Sequence, residues 1–335
     1  MKTIRWGIIG CGDVTEVKSG PGFQRSNHSQ LIAVMRRNGD LAKDYALRHN
    51  VPKWYDNAQR LINDPDVDAI YVATPPAFHK EYVVKCAQAG KPVYVEKPMA
   101  RNFEECVAMI EACENAGVPL FVAYYRRALD RFNKIKELID SEKIGEVRFV
   151  SIILYRKPIQ VDFNSGNLPW RVIPEISGGG EFVDLASHTL DVLDYILGPI
   201  KEACGYASNQ AHLYEAEDIV TASLSFVSGV KGTGTWCFSS FSNYDMNEII
   251  GSKGKISFST FGSDPVLLTT LEGIIPIAII NPINIQGQLI QSIVNELNGL
   301  GTCPSKGISA SRTNRVMDEI LKNYRLIKGK DYKKD

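Results

Sequence analysis

No excess of either charge marks this chain: its 38 lysines and arginines balance its 38 aspartates and glutamates, with no block of like sign. That balance removes the electrostatic footprint of a nucleic-acid or anionic-membrane binder and leaves a small molecule as the expected partner. Paired cysteines are missing too. The seven, at positions 11, 86, 106, 113, 204, 237 and 303, are scattered, odd in number and without metal-ligand spacing, so they read as reduced core residues. There is no long apolar run. The longest tract, 274–285, is cut by Pro276, Asn281 and Pro282 and is too short and broken to cross a bilayer. Lys2 and Arg5 lead straight into a strand-like segment, with neither a signal-peptide hydrophobic region nor a cleavage site, so a cytoplasmic protein is expected.

What is present is enough for two cores: 335 residues, 44% of them apolar. The run Val93-Tyr94-Val95 reads as a buried strand that stops at Glu96-Lys97-Pro98. In open parallel sheets, ligands bind beyond the carboxyl ends of strands, which makes Lys97 the first catalytic candidate and Glu96 its neighbour at the site. The plain alternative is a solvated loop lysine. Earlier, a mostly apolar run at 4–9 enters Gly10-Cys11-Gly12-Asp13-Val14-Thr15, a strand followed by a glycine turn and a helix start. Gly10 permits the turn and Gly12 lets the backbone approach a pyrophosphate, with Asp13 and Val14 opening the helix. Thr15 replaces the third glycine of the usual pattern. Residues 17–29 hold enough turn chemistry, with Lys18, Gly20, Pro21 and Gly22, to read as a loop at the mouth of the site. Lys18 there is either an anion contact or simply exposed.

The second strand, 31–35, ends in Arg36 and Arg37 where an NAD-binding domain commonly places an acid for the ribose hydroxyls. Arginine at that point pairs with the NADP phosphate, so NADP is the expected cofactor, with NAD the lesser alternative. A strand at 69–73 ends in Thr74-Pro75-Pro76, a turn at another carboxyl end. His79, early in the next helix, either borders the nicotinamide or packs the turn. The β–α alternation through residue 123 predicts a doubly wound parallel sheet, a Rossmann domain over 1–123. From 124 to 335, long strand-like stretches at 147–153, 219–226, 230–238 and 248–258 predict an α+β domain with a mostly antiparallel open sheet.

Within that domain Gly178-Gly179-Gly180 leads into a stretch with apolar residues at helical spacing and with Asp184, His188 and Asp191 at i, i+4 and i+7. This polar face lacks lysine, arginine and glutamate between 182 and 194, as a face lining a cleft would. Asp184 is placed to orient His188 for acid–base work. A metal held by these groups ranks well below that. Arg171, after Trp170, is a further substrate contact or an ordinary surface arginine.

Taken together, Gly10-x-Gly12, Thr74-Pro75-Pro76, Glu96-Lys97-Pro98 and the triple glycine leading to Asp184 and His188 resemble the Gfo/Idh/MocA oxidoreductases, the glucose-fructose oxidoreductase and inositol dehydrogenase family. The resemblance covers nearly the whole chain. It implies a Rossmann domain and a second domain whose open sheet forms a homodimer or homotetramer interface. It also implies that Lys97 borders nicotinamide and substrate while Asp184 and His188 come from the other domain. The expected activity is hydride transfer between NADP(H) and a sugar, polyol or keto-sugar, with Lys97 or His188 carrying the proton. Redox-assisted glycoside cleavage and a non-catalytic NADP-binding regulator are the alternatives. The 164–176 loop is expected to carry specificity.

Overall fold

The computed structural model describes residues 1–164 and 166–329. Ser165, in the loop just named, and the last residues of the 124–335 domain lie outside the described residues. Residues 1–129 and 282–311 form one compact unit; residues 130–281 and those from 312 onward form another. The expected linear division at 123/124 is therefore corrected, because the chain returns to the first unit after the second has largely been built.

The first unit is built on six parallel strands: β1 (Ile4–Ile9), β2 (Ser29–Met35), β3 (Lys53–Tyr55), β4 (Ala69–Val72), β5 (Val93–Val95) and β6 (Leu120–Val122). They lie in the order β3-β2-β1-β4-β5-β6. β4, β5 and β6 are buried at every residue, as near-continuous apolar runs must be when helices cover both faces of a sheet. The order reverses between β1 and β4. This is the switch point at which doubly wound sheets bind their ligands, and it brings the Gly10 turn beside the Thr74 turn.

Two segments differ from expectation here. Residues Gly20–Arg25 are a helix, not a loop, because Pro21 suits a helix start and Phe23 gains a fully buried site. Phe23 packs on Trp6, Tyr71 and Tyr94 with ring centroids 4.9, 5.2 and 6.3 Å away. The other is the returning segment. Its helix, Gly287–Leu297, buries Leu289, Ile290, Ile293 and Val294.

Gln286, just before that helix, reaches the end of β5. Glu96 is buried there, and its carboxylate accepts from the Tyr71 hydroxyl, from Gln286 Nε2 at 2.7 Å and from the Lys97 backbone N–H at 3.0 Å. Gln286 Oε1 in turn accepts from the Tyr94 hydroxyl at 2.8 Å. The network fixes the turn from which Lys97 emerges, and the Lys97–Pro98 peptide within it is cis.

The second unit has eight strands: β7 (Val147–Tyr155), β8 (Ile200–Ser208), β9 (Ile219–Phe226), β10 (Lys231–Cys237), β11 (Tyr244–Gly251), β12 (Gly254–Phe258), β13 (Val266–Thr270) and β14 (Gly273–Ile277). Their order is β14-β13-β12-β11-β7-β10-β9-β8, and only β7 and β10 pair in parallel. The stretch expected at 248–258 is two strands turning at Ser252-Lys253. β9 shows the alternation of a half-buried sheet, with Val220, Ala222, Leu224 and Phe226 inward. Phe182 packs edge to face on Trp236 of β10 at 5.1 Å, which seats the segment carrying Asp184 and His188 on this sheet. No helix among the described residues is long and apolar enough to cross a membrane.

Replacing Gln286 by leucine leaves the buried Tyr94 hydroxyl without its acceptor and removes one donor from Glu96. Each such loss costs about 1–3 kcal/mol, so the urea midpoint of Gln286→Leu is expected to fall markedly, with Tyr94→Phe recovering part of it. An unchanged midpoint would show that the network carries no weight.

Candidate functional site

The glycine turn after β1 is held by β2: the N–H groups of Gly10 and Cys11 both donate to Met35 O, at 2.9 and 3.1 Å. Gly10 has φ +92° and lies so close to Thr74 that an added Cβ would meet Thr74 Cγ2 at 2.9 Å. Gly12 is the opposite case. Its backbone is extended and a Cβ there would meet nothing nearer than Gly10 O at 4.0 Å, so the space beside it is open. Asp13 and Val14 form the first turn of the helix Asp13–Val17. Thr15 is buried and its hydroxyl donates to Gly12 O at 2.7 Å, bracing the turn. The close approach that the missing third glycine would have served is made by Gly20, where a Cβ would strike Thr15 O and the Tyr45 hydroxyl. Lys18 is exposed.

Arg36 and Arg37 emerge exposed from β2. Arg37 lies over the Phe78 ring at 5.3 Å, joining the β2 end to the segment after Thr74-Pro75-Pro76. Thr74 Oγ1 is buried without a hydrogen-bond partner. Beside it, His79 is wholly buried, with Nε2 2.6 Å from Thr74 O and Nδ1 3.1 Å from Met99 O. Burial pushes its imidazole below the ordinary value, against the pull of the two carbonyls. Having no surface of its own, His79 reaches a ligand only through the Thr74 and Lys97-Pro98-Met99 turns that it ties together. Of the two readings of His79, this geometry is the packing one.

The open side of Gly12 and the partnerless Thr74 hydroxyl, on two turns that Gly10 brings together at the switch point, fit a dinucleotide. Gly10, Gly12, Asp13, Val14, Arg36, Arg37, Thr74 and Pro75 are the residues that would hold it.

In the second unit the triple glycine is explained by what it lies against. Gly178 has φ +88° and ends a short helix, Pro174–Ser177, and its carbonyl accepts from Arg325 at 2.7 Å. A Cβ on Gly180 would meet Glu217 O at 2.7 Å and Ala216 Cβ at 2.9 Å, while the Gly180 N–H donates to Glu217 Oε1 at 2.8 Å. Residues Phe182–Ala186 then wind as a wide π-helical turn before the α-helix Ser187–Leu197. Such turns interrupt the regular i, i+4, i+7 register that the spacing alone predicts and recur at functional sites.

Asp184 sits on that turn, largely buried, and pairs with Arg171 at 3.3 Å. Arg171 also lies over the Trp170 ring at 4.5 Å. The structure thus joins Asp184 to Arg171 and Trp170, the pair that the sequence offered as a substrate contact or a surface arginine. Glu181, one turn earlier, was missed. Burial first, then the Asp184 charge, pushes its carboxyl from an ordinary 4.5 up to about 7. His188 is buried to 5% exposure, with the half-exposed Phe261 ring edge to face at 5.7 Å. The rest of the polar face is spent on packing: Asp191 accepts from Thr313 and Asp194 pairs with Arg312. Its lack of long charged side chains therefore reflects burial as much as a cleft. Among the described residues no group of three His, Cys, Asp or Glu is arranged to hold a metal ion.

A family model described as "Oxidoreductase family, NAD-binding Rossmann fold" matches residues 4–124, and one described as "GFO/IDH/MocA C-terminal domain" matches residues 132–257. Oxidoreductase P35 of Formosa agariphila is 38% identical over 316 residues, 94% of this chain and 97% of that protein. The trans-1,2-dihydrobenzene-1,2-diol dehydrogenase of Mus musculus is 31% identical over 71% of this chain and 69% of its own. Among solved structures, an aldose-aldose oxidoreductase from Caulobacter crescentus superposes with a TM-score of 0.84 at 26% identity, covering 98% of this chain and 99% of that one.

Because a methyl group at Gly12 meets nothing within the protein, Gly12→Ala is expected to unfold at the same urea concentration as the parent. Intruding on a bound pyrophosphate costs about 1–3 kcal/mol, so cofactor affinity should drop about ten- to a hundredfold in a fluorescence titration. Native affinity in this variant would remove Gly12 from the binding surface.

Proposed function

The chain belongs to the Gfo/Idh/MocA family of NAD-binding Rossmann-fold oxidoreductases, and from that premise we propose that it transfers hydride between NADP(H), preferred to NAD(H), and a sugar, a polyol or the corresponding keto form. The observation that carries the substrate class is the grouping of Trp170, Arg171 and Asp184 one turn from His188. Hydroxyls need donors and acceptors at close range, and the C–H face of a sugar ring lies well on an indole; a purely apolar ketone uses neither. The Caulobacter structure's name, an oxidoreductase of aldoses, points the same way. The mouse relative's name favours a second reading, oxidation of a cyclic aromatic diol.

When bound, the nicotinamide supplies the hydride acceptor or donor. The chain's part is the proton. Lys97, leaving the Glu96 turn of the first unit, and His188, in the second, are the two groups that take a hydroxyl proton in oxidation and return it in reduction. Asp184 supports His188 and is itself held by Arg171. Arg36 is the contact for a 2′-phosphate, with Arg37 braced on Phe78 beside it. A reducing cytoplasm suits seven free cysteines. A homodimer or homotetramer suits the eight-stranded sheet, on which Phe149, Tyr206 and Tyr244 are exposed.

Titrating NADPH and NADH by fluorescence tests the cofactor. A charge-assisted phosphate contact is worth roughly 1.5–3 kcal/mol, so NADPH should bind about ten- to a hundredfold more tightly, and Arg36→Ala should abolish the difference. Equal or tighter NADH binding sinks the assignment.

Nicotinamide absorbance with a panel of aldoses, inositols, keto-sugars and acidic or phosphorylated sugars, set against aromatic diols and simple ketones, tests the substrate. Turnover is expected on the carbohydrates; turnover confined to aromatic diols would leave a dehydrogenase and reject the sugar. On the active substrate, Lys97→Met and His188→Ala should each lower kcat by roughly 10²–10⁴ with NADPH binding nearly intact, and Asp184→Asn by less. Near-native turnover in both would mean that the chemistry lies elsewhere.

A further inference from the structure

The loop between β12 and β13 is tied down next to His188 by contacts that the proposed chemistry does not use. Asp245, on β11, accepts from two successive backbone groups of that loop, Thr260 N–H at 3.1 Å and Phe261 N–H at 2.7 Å. The Thr260 hydroxyl is 2.9 Å from the hydroxyl of Thr189, the residue that follows His188, and also accepts from Asn247 Nδ2 at 3.0 Å. Both threonines and Asn247 are buried. These bonds leave Phe261 little freedom in where its side chain starts. Its ring meets the His188 imidazole edge to face, at 5.7 Å and an interplanar angle of 80°.

Such a placement has a cost. Phe261 is 40% exposed, and an exposed phenylalanine gains little from burial where it stands. Yet a carboxylate and a buried threonine pair hold it there. An imidazole that moves a proton must present one nitrogen in one direction, and small errors in that direction are expensive in rate. Resting on the reading of His188 as a proton-transfer group, we propose that Phe261 is a positioning residue for His188, fixing the imidazole plane by its edge-to-face contact, with Asp245 as the anchor that sets Phe261.

The test needs a readout that does not depend on knowing the substrate. The chain has five histidines, so in protein labelled with ¹⁵N at histidine the His188 ring signals are identified by their loss in His188→Ala. The parent should give one sharp His188 pair. In Phe261→Leu it should broaden or split as the ring samples a second orientation, and Phe261→Tyr, which keeps the aromatic edge, should restore it. A single sharp pair in Phe261→Leu overturns the proposal.

The kinetic arm uses NADP⁺ with glucose or myo-inositol. An aromatic pair of this kind converts to about a three- to tenfold fall in kcat for Phe261→Leu, with the NADP⁺ KM unchanged and Phe261→Tyr within about twofold of the parent. Asp245→Ala should lower kcat to a similar degree, and the double variant should lose little more than either single one. Urea midpoints of Phe261→Leu and the parent should coincide, given the exposure of the ring. If His188→Ala is inactive while Phe261→Leu is native in rate and spectrum, this proposal alone fails. If His188→Ala keeps full turnover, the proton-transfer reading of His188 fails and takes the proposal with it.

Discussion

A carboxylate out of water has to find donors, and Glu96 sets that demand at the most consequential strand end in the first unit. Left unmet, a buried charge costs several kcal/mol, so the surrounding structure is arranged to meet it. Tyr71 on β4, the Lys97 backbone and Gln286 from the far end of the chain each supply one bond. The two tyrosines of the network stack at 4.7 Å, and burial pushes both phenols well above their ordinary range. They stay neutral donors at any physiological pH. Phe23, itself packed on Trp6, lies against this stack, which ties the helix Gly20–Arg25 to the turn bearing Lys97. Cofactor cradle and catalytic candidate thus share one piece of core.

The second unit meets the same demand differently. Glu217 is wholly buried, and burial pushes its carboxyl up even though Gly180 donates to it. Removing the side chains from residues 179 and 180 lets the backbone come close enough for that bond. The wide turn that follows redirects Asp184 toward Arg171, while Phe182 on Trp236 holds the segment to the sheet. Burial first, and then the Asp184 charge, leave the Glu181 carboxyl raised to about 7.

How much of this could be read beforehand follows the range of the interactions. The parallel sheet, the glycine turn, the paired arginines and the Glu96-Lys97-Pro98 stop are local patterns, and each stands where its strand ends. Asp184 and His188 stood out in the sequence because short polar residues interrupt an apolar helical pattern. Gln286 was not. It is a single amide after a tract that Pro276, Asn281 and Pro282 break up, and only the folded chain reveals that it faces Glu96. β14 was hidden at the start of the same tract, where Pro276 reads as a strand breaker but sits on the edge strand, the one place in a sheet where its missing N–H costs little. Gly20 was taken for loop chemistry because its purpose, contact with Thr15 and Tyr45, depends on the helix Gly39–Arg48, which the local periodicity around Gly20 does not reveal. Phe261 carried no signal at all, since an isolated aromatic in a loop looks like any other.

The return of residues 282–311 to the first unit also bears on how the protein is made. During synthesis the six strands of the Rossmann sheet leave the ribosome first, but the amide that completes the Glu96 network leaves only after the whole eight-stranded sheet has followed. The nascent dinucleotide domain must therefore wait, with an under-coordinated carboxylate at its heart. It also follows that a cut at residue 129 leaves out part of the first unit: in the language of modular evolution, residues 130–281 of the second unit are an insert, and the first is whole only when both of its pieces are kept.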